Sequence, residues 1–137
     1  MKLTTTVTAA MLDALNTEVG STGFFRLYEG DPDSAGTNVA SCSMNNPAFD
    51  PASGTTMAMD NSPAVEDTGP SAATSGVTYA GIYGSTSATD GAWIVKLGVN
   101  TSGSPDLTMA NNTIATTDTV TISSFSITLA QGTPDTA

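Results

Sequence analysis

Residues 77–99 read VTYAGIYGSTSATDGAWIVKLGV, and their reading decides the fold. Val77, Tyr79, Gly81 and Tyr83 recur with a period of two, as do Trp93, Val95, Leu97 and Val99 beyond the break. Successive side chains of a pleated strand point to opposite faces, so this alternation predicts two half-buried strands, Val77–Tyr83 and Ala92–Val99. The break GSTSATDG carries Asp90-Gly91, a strong turn pair, although it is longer than a tight hairpin loop. The two strands are therefore expected to pair.

The same texture extends in both directions. GFFRLYE, Gly23–Glu29, predicts a strand with Phe25 and Leu27 on one face and Phe24, Arg26 and Tyr28 on the other. Val39–Met44 and Thr55–Met59 follow as strands, separated by the loops Gly30–Asn38 and Asn45–Gly54, the second anchored by Phe49. Asp60–Gly76 reads as an irregular crossover with an added short strand at Ala64–Glu66, and Leu107–Met109 is short as well. Thr119–Ala130 closes the series. Its apolar residues change parity, from Val120 and Ile122 to Phe125, Ile127 and Leu129, which predicts a bulge or a strand crossing between sheets at Ser123-Ser124.

About seven short strands with turns roughly every ten residues predict a mainly β chain, an antiparallel β-sandwich or barrel of jelly-roll or immunoglobulin-like character. One short N-terminal helix precedes them. Leu12, Leu15 and Val19 recur at helical spacing with Met11 beside them, Thr8 is the expected cap, and Gly20 the expected end. A helix this short needs a surface to dock on. The expected organisation is an arm over 1–7, a helix over 8–20, a sandwich over 21–131 and a tail over 132–137.

Composition narrows function. The 137 residues contain no His, one Cys and three basic residues against thirteen acidic ones, for a formal net charge of −10. A Ser-His-Asp relay lacks its base, a zinc site lacks imidazole and a second thiolate, and cationic phosphate clamps are scarce. We expect no enzyme and no cofactor. Such acidity repels phosphate backbones and anionic lipid, so no nucleic acid and no membrane are expected as partners. The first twenty residues hold no apolar run of signal-peptide or spanning length, and neither export signal nor anchor is expected. Cys42 is expected to be a buried small hydrophobe.

Three clusters invite a ligand reading. Glu29, Asp31 and Asp33 offer hard oxygen ligands for Ca²⁺, without the length, Gly and terminal Glu of an EF-hand loop; a solvated turn at Asp31-Pro32 is the competing reading. Glu66 and Asp67 form a weaker pair. Trp93, Tyr79 and Tyr83 share the central hairpin, where they form either core or a platform for sugar.

The order of elements is also informative. MKLTTTVTAAMLDALNTEVGSTGFFRLYEG, the NNPAF segment, SGSPDLTMANNTI and TVTISSFSITLAQG follow one another along the chain. With Leu12, Leu15, Gly20, Phe25, Arg26, Tyr28 and Gly30 at their positions, the chain resembles a family of small virion structural proteins from tailed bacteriophages and prophages. The resemblance implies a non-enzymatic capsid decoration, or cement, protein on the outer surface of the head. Its implied partners are the major capsid protein and neighbouring copies of itself, as a homo-oligomer and by expectation a trimer. A tail or fibre component, or a carbohydrate-binding adhesin-like sandwich, is the alternative. An interface is expected on the arm and helix, at Met1, Lys2, Leu3, Val7, Met11, Leu12 and Leu15.

Overall fold

The computed structural model describes residues 1–133. Its first element, α1, spans Thr5–Val19 and so begins three residues before the expected start at Thr8. Thr4 takes the extended cap conformation, and its hydroxyl accepts from the Val7 N–H at 3.3 Å. Thr8, the expected cap, lies buried one turn inside, where its hydroxyl donates to the Gly54 carbonyl at 3.0 Å. A threonine with a tertiary acceptor is tolerated within a helix, and this moved the boundary. At the other end Gly20 adopts φ +68, and its N–H bonds to the Asn16 carbonyl, as expected.

Among the described residues nine strands follow, against the expected seven or so: β1 Phe24–Glu29, β2 Thr37–Ser43, β3 Thr56–Ala58, β4 Val65–Asp67, β5 Tyr79–Tyr83, β6 Val95–Asn100, β7 Leu107–Thr108, β8 Val120–Ile122 and β9 Ser126–Thr128. Five of them form one sheet in the order β2-β1-β5-β6-β7, antiparallel except at the β6–β7 edge. The central hairpin is present, with Ile82 opposite Val95 and Ala80 opposite Leu97. However, β6 starts at Val95 and not at Ala92: the Ile94 N–H still donates to the Ile82 carbonyl at 2.7 Å, but Ala92 closes a turn onto the Thr89 carbonyl at 2.9 Å. A register shift between Leu27 and Tyr28 bends β1 against β2.

The second layer is thinner. In β3–β9 Thr56 faces Thr128 and Ala58 faces Ser126; in β4–β8 Val65 faces Ile122 and Asp67 faces Val120. Between these ladders the Met59 N–H donates to the Phe125 carbonyl at 2.8 Å and Asn61 Nδ2 to the Ser123 carbonyl at 2.6 Å. The two ladders are thus stretches of one antiparallel ribbon, interrupted at 60–64 and at Ser123-Ser124. The expected single strand Thr119–Ala130 is divided there, where the apolar parity changes.

The core fills the space between the layers. Phe25, Leu27, Cys42, Ala80 and Ile82 from the sheet are fully buried, as are Met57 and Val65 from the ribbon. Phe125 meets the edge of Phe25 with ring centroids 5.4 Å apart and lies 6.4 Å from Phe49, the predicted anchor. Leu12 and Val19 of α1 complete the same cluster. Each large apolar side chain buried in this way contributes about 1.5–3 kcal/mol. Asn16 fastens the helix to the loop before β3: its amide donates to the Phe49 carbonyl at 3.0 Å and accepts from the Phe49 N–H at 3.3 Å.

Candidate functional site

The sheet face turned away from the ribbon carries Arg26, Tyr28, Tyr79 and Tyr83. On β1 and β5, Phe24, Arg26 and Tyr28 sit opposite Tyr83, Gly81 and Tyr79. The loop 84–93 folds back over this face instead of extending the hairpin. Arg26, only 5% exposed, donates to the Thr86 carbonyl at 2.6 Å and to the Ala88 carbonyl at 2.8 Å. Its Nε is buried without a partner, and the Asp90 carboxylate stands 3.9 Å from Nη1. Tyr28 donates its hydroxyl to Asp90 Oδ1 at 2.9 Å, and Tyr83 donates to the Asp90 carbonyl at 2.6 Å. Burial, followed by the neighbouring Tyr83 and Asp90, pushes the Tyr28 phenol well above its usual range. The Tyr83 phenol is raised too, chiefly by burial.

Beside this clasp lies a surface ion cluster. Lys96 on β6 reaches Asp31 Oδ1 at 2.6 Å and Asp33 Oδ2 at 2.7 Å. Trp93 donates its indole N–H to Asp33 Oδ1 at 2.9 Å. Hydrogen bonds from Lys96 hold both carboxyls below the ordinary carboxylate range, and the same bonds raise the lysine above its own. Lys96 is therefore held protonated, with no free pair for nucleophilic or base chemistry.

The three candidate Ca²⁺ ligands do not converge. Asp31 and Asp33 enclose an ammonium, while Glu29 Oε2 accepts from the Ser75 N–H at 3.1 Å. Among the described residues no group of three or more His, Cys, Asp and Glu lies close enough to hold a metal ion. Glu66 and Asp67 also separate, since Asp67 Oδ2 accepts from the Ser41 N–H at 2.8 Å. The aromatic platform is broken as well. Tyr83 is fully buried, Tyr79 is half-buried under Lys96, and Trp93 alone stands out, at 38% exposure. Cys42 is buried, as expected.

The expected interface residues divide. Met1, Lys2, Val7 and Met11 are exposed, whereas Leu12 is fully buried and Leu15 packs against the core. These two are corrected from interface to core, because the helix needs them to dock. The arm is corrected also: it ends at Thr4 and is not free. The Leu3 N–H donates to the Gln131 carbonyl at 2.7 Å, Gln131 Nε2 returns a bond to the Leu3 carbonyl at 2.9 Å, and the Met1 amine reaches the Thr133 carbonyl at 3.0 Å. The expected tail lies within the described residues only at 132 and 133.

Fold and surface together define a mainly β, sandwich-like protein with a helix packed at one end. Comparison with family models, with curated proteins and with solved structures yields no match.

Proposed function

We propose that this chain is a non-enzymatic structural protein that docks on a larger assembly, and specifically a capsid decoration protein on the outer surface of a bacteriophage head. The observation that carries this reading is the outward face of α1. Val7 and Met11 are 44% and 49% exposed, and Ala10 and Ala14 continue the same stripe at helical spacing. The adjoining buried stripe, Leu12, Leu15 and Val19, already satisfies the helix within its own domain. A second apolar stripe, on a chain of net charge −10, suits a docking surface. The acidity supports an exterior position, since packaged DNA repels such a protein. The resemblance of the sequence to small phage virion proteins supports the assembly named. The major capsid protein and neighbouring copies of this chain are the partners, and symmetric repetition multiplies a modest interface per copy.

Cosedimentation with expanded heads that lack the protein tests this reading. Saturable binding is expected, and it is lost in a Val7→Glu, Met11→Glu variant whose melting temperature stays close to that of the parent. Bare heads at micromolar protein would refute head decoration; binding to tails under the same conditions would reassign the protein to the tail.

A further inference from the structure

The five-stranded sheet has two edges, and only one is closed. Along β2 the Ser41 N–H is taken by Asp67 and the Ser71 N–H reaches the Val39 carbonyl at 2.7 Å, so the segment 67–71 covers that edge. At the other end β7 pairs with β6 alone. Among the described residues, no hydrogen bond runs from Leu107 or Thr108 to any other element. The ribbon strands β8 and β9 likewise have a single partner each.

β7 and β8 border a common groove, which β9 reaches only at Ser126, and the Val120 carbonyl of β8 already accepts from the Cys42 thiol at 3.8 Å. A cavity of about 500 Å³ separates Leu107–Met109 from Thr119–Ser124, floored by Leu27, Ile114, Val120 and Ile122. A second, of about 470 Å³, continues it past Ser123 and Ser124 to Phe125 and Ser126. Leu107, Thr108, Ser123 and Ser124 line both. An apolar floor between unpaired strand edges is the geometry that takes up an added strand, the edges bonding its main chain and the floor receiving alternate side chains. The thin second layer leaves space for one.

Charge selects the occupant. Asp118 lines the first cavity and Asp106 the second, both exposed, and neither cavity is lined by a Lys or Arg. A second copy is a poor occupant: of its three basic residues, Arg26 and Lys96 are engaged internally, and its net charge is −10. We propose that this groove accepts an extended, lysine- or arginine-bearing segment of a different protein as an added strand. The inference stands apart from the capsid reading, because it requires a basic extended segment and no particular assembly.

The test titrates ¹⁵N-labelled full-length protein with the peptide Lys-Val-Lys-Val-Lys-Val, its Glu-Val counterpart, and a backbone N-methylated Lys-Val form. Saturable shift changes over residues 107–110 and 119–126 are expected with the first peptide alone. An Asp106→Asn, Asp118→Asn variant keeps an oxygen for the Gly98 and Ala115 N–H groups that these carboxylates now receive. It should bind roughly threefold to tenfold more weakly. No saturable change at millimolar peptide, changes mapping elsewhere, or an equal response to the Glu-Val or N-methylated peptide would overturn the proposal. So would self-association of the protein that Ser124→Arg abolishes, since that result assigns the groove to a second copy.

Discussion

The guanidinium carbon of Arg26 stands 4.5 Å from the centroid of the Tyr83 ring. Both side chains reach the same returning loop, Arg26 at Thr86 and Ala88 and Tyr83 at Asp90. Gly81, between them on the sheet, leaves room for the ring to lie down; a Cβ there would meet it at 2.8 Å. A cation stacked on a desolvated phenol, with two carbonyls fixing its plane, holds the loop more firmly than turn chemistry alone.

Arg26→Met removes the donors to two loop carbonyls while conserving much of the buried stem. A loss of about 2–4 kcal/mol in urea denaturation is expected. Amide exchange over 84–93 should accelerate more than exchange in β1 and β5, and uniform acceleration would mean that the loop is held by other contacts.

The Lys96 cluster sets a pH window. Asp31 and Asp33 have folded-state values below the ordinary 3.8, so their contribution is complete above that value and is lost as pH falls through the lowered ones. Lys96 is raised above 10.5, so its contribution is complete below that value and is lost as pH rises through the raised one. Thermal melts of the parent and of Lys96→Met should therefore differ most between these limits and converge beyond them. A difference independent of pH would assign the effect to the lysine stem.

Asn16 both gives and receives a bond at Phe49. Asn16→Ala is expected to cost about 1–3 kcal/mol by leaving both backbone groups unpaired. Asn16→Asp keeps the acceptor but sets a carboxylate against the Phe49 carbonyl, and it should melt lower than Ala at neutral pH. The reverse order would show that only the N–H bond matters.

Burial, with the charges of Asp67 and Glu66 behind it, pushes the Cys42 thiol up to about 12. Labelling by a thiol reagent near pH 8 should proceed only through unfolding, with a rate that rises with denaturant. Rapid labelling in native buffer would place the thiol at the surface.

β1, β2 and β5 were legible because the period-two spacing of large side chains is a local property, but the burial of both faces of β1 and β5 was not, since it depends on the returning loop. The helix end was legible through Gly20 and its start was not, since Thr4 and Thr8 are equivalent as caps until the Gly54 carbonyl claims one of them. Ala92–Ile94 read as strand because Trp93 and Val95 keep the period, yet Ala92 closes a turn onto Thr89 and the Trp93 indole N–H is taken by the Asp33 carboxylate, sixty residues away in sequence. The Asp31, Asp33 and Lys96 cluster was hidden for the same reason: sixty-odd residues separate the acids from the base, and charge pairing leaves no periodic trace. The scarcity of basic residues was the one available clue, because a chain with three of them has few reasons to hold two in one sheet.

That placement governs how copies of the protein meet in solution. With Arg26 and Lys96 neutralised internally, Lys2 is the remaining side-chain cation, and it makes no ion pair among the described residues. Each molecule therefore behaves as a near-uniform polyanion whose neighbours are held apart by a diffuse double layer. Raising ionic strength compresses that layer, so crowding of like copies becomes easier in salt, while attraction to a basic partner weakens under the same change.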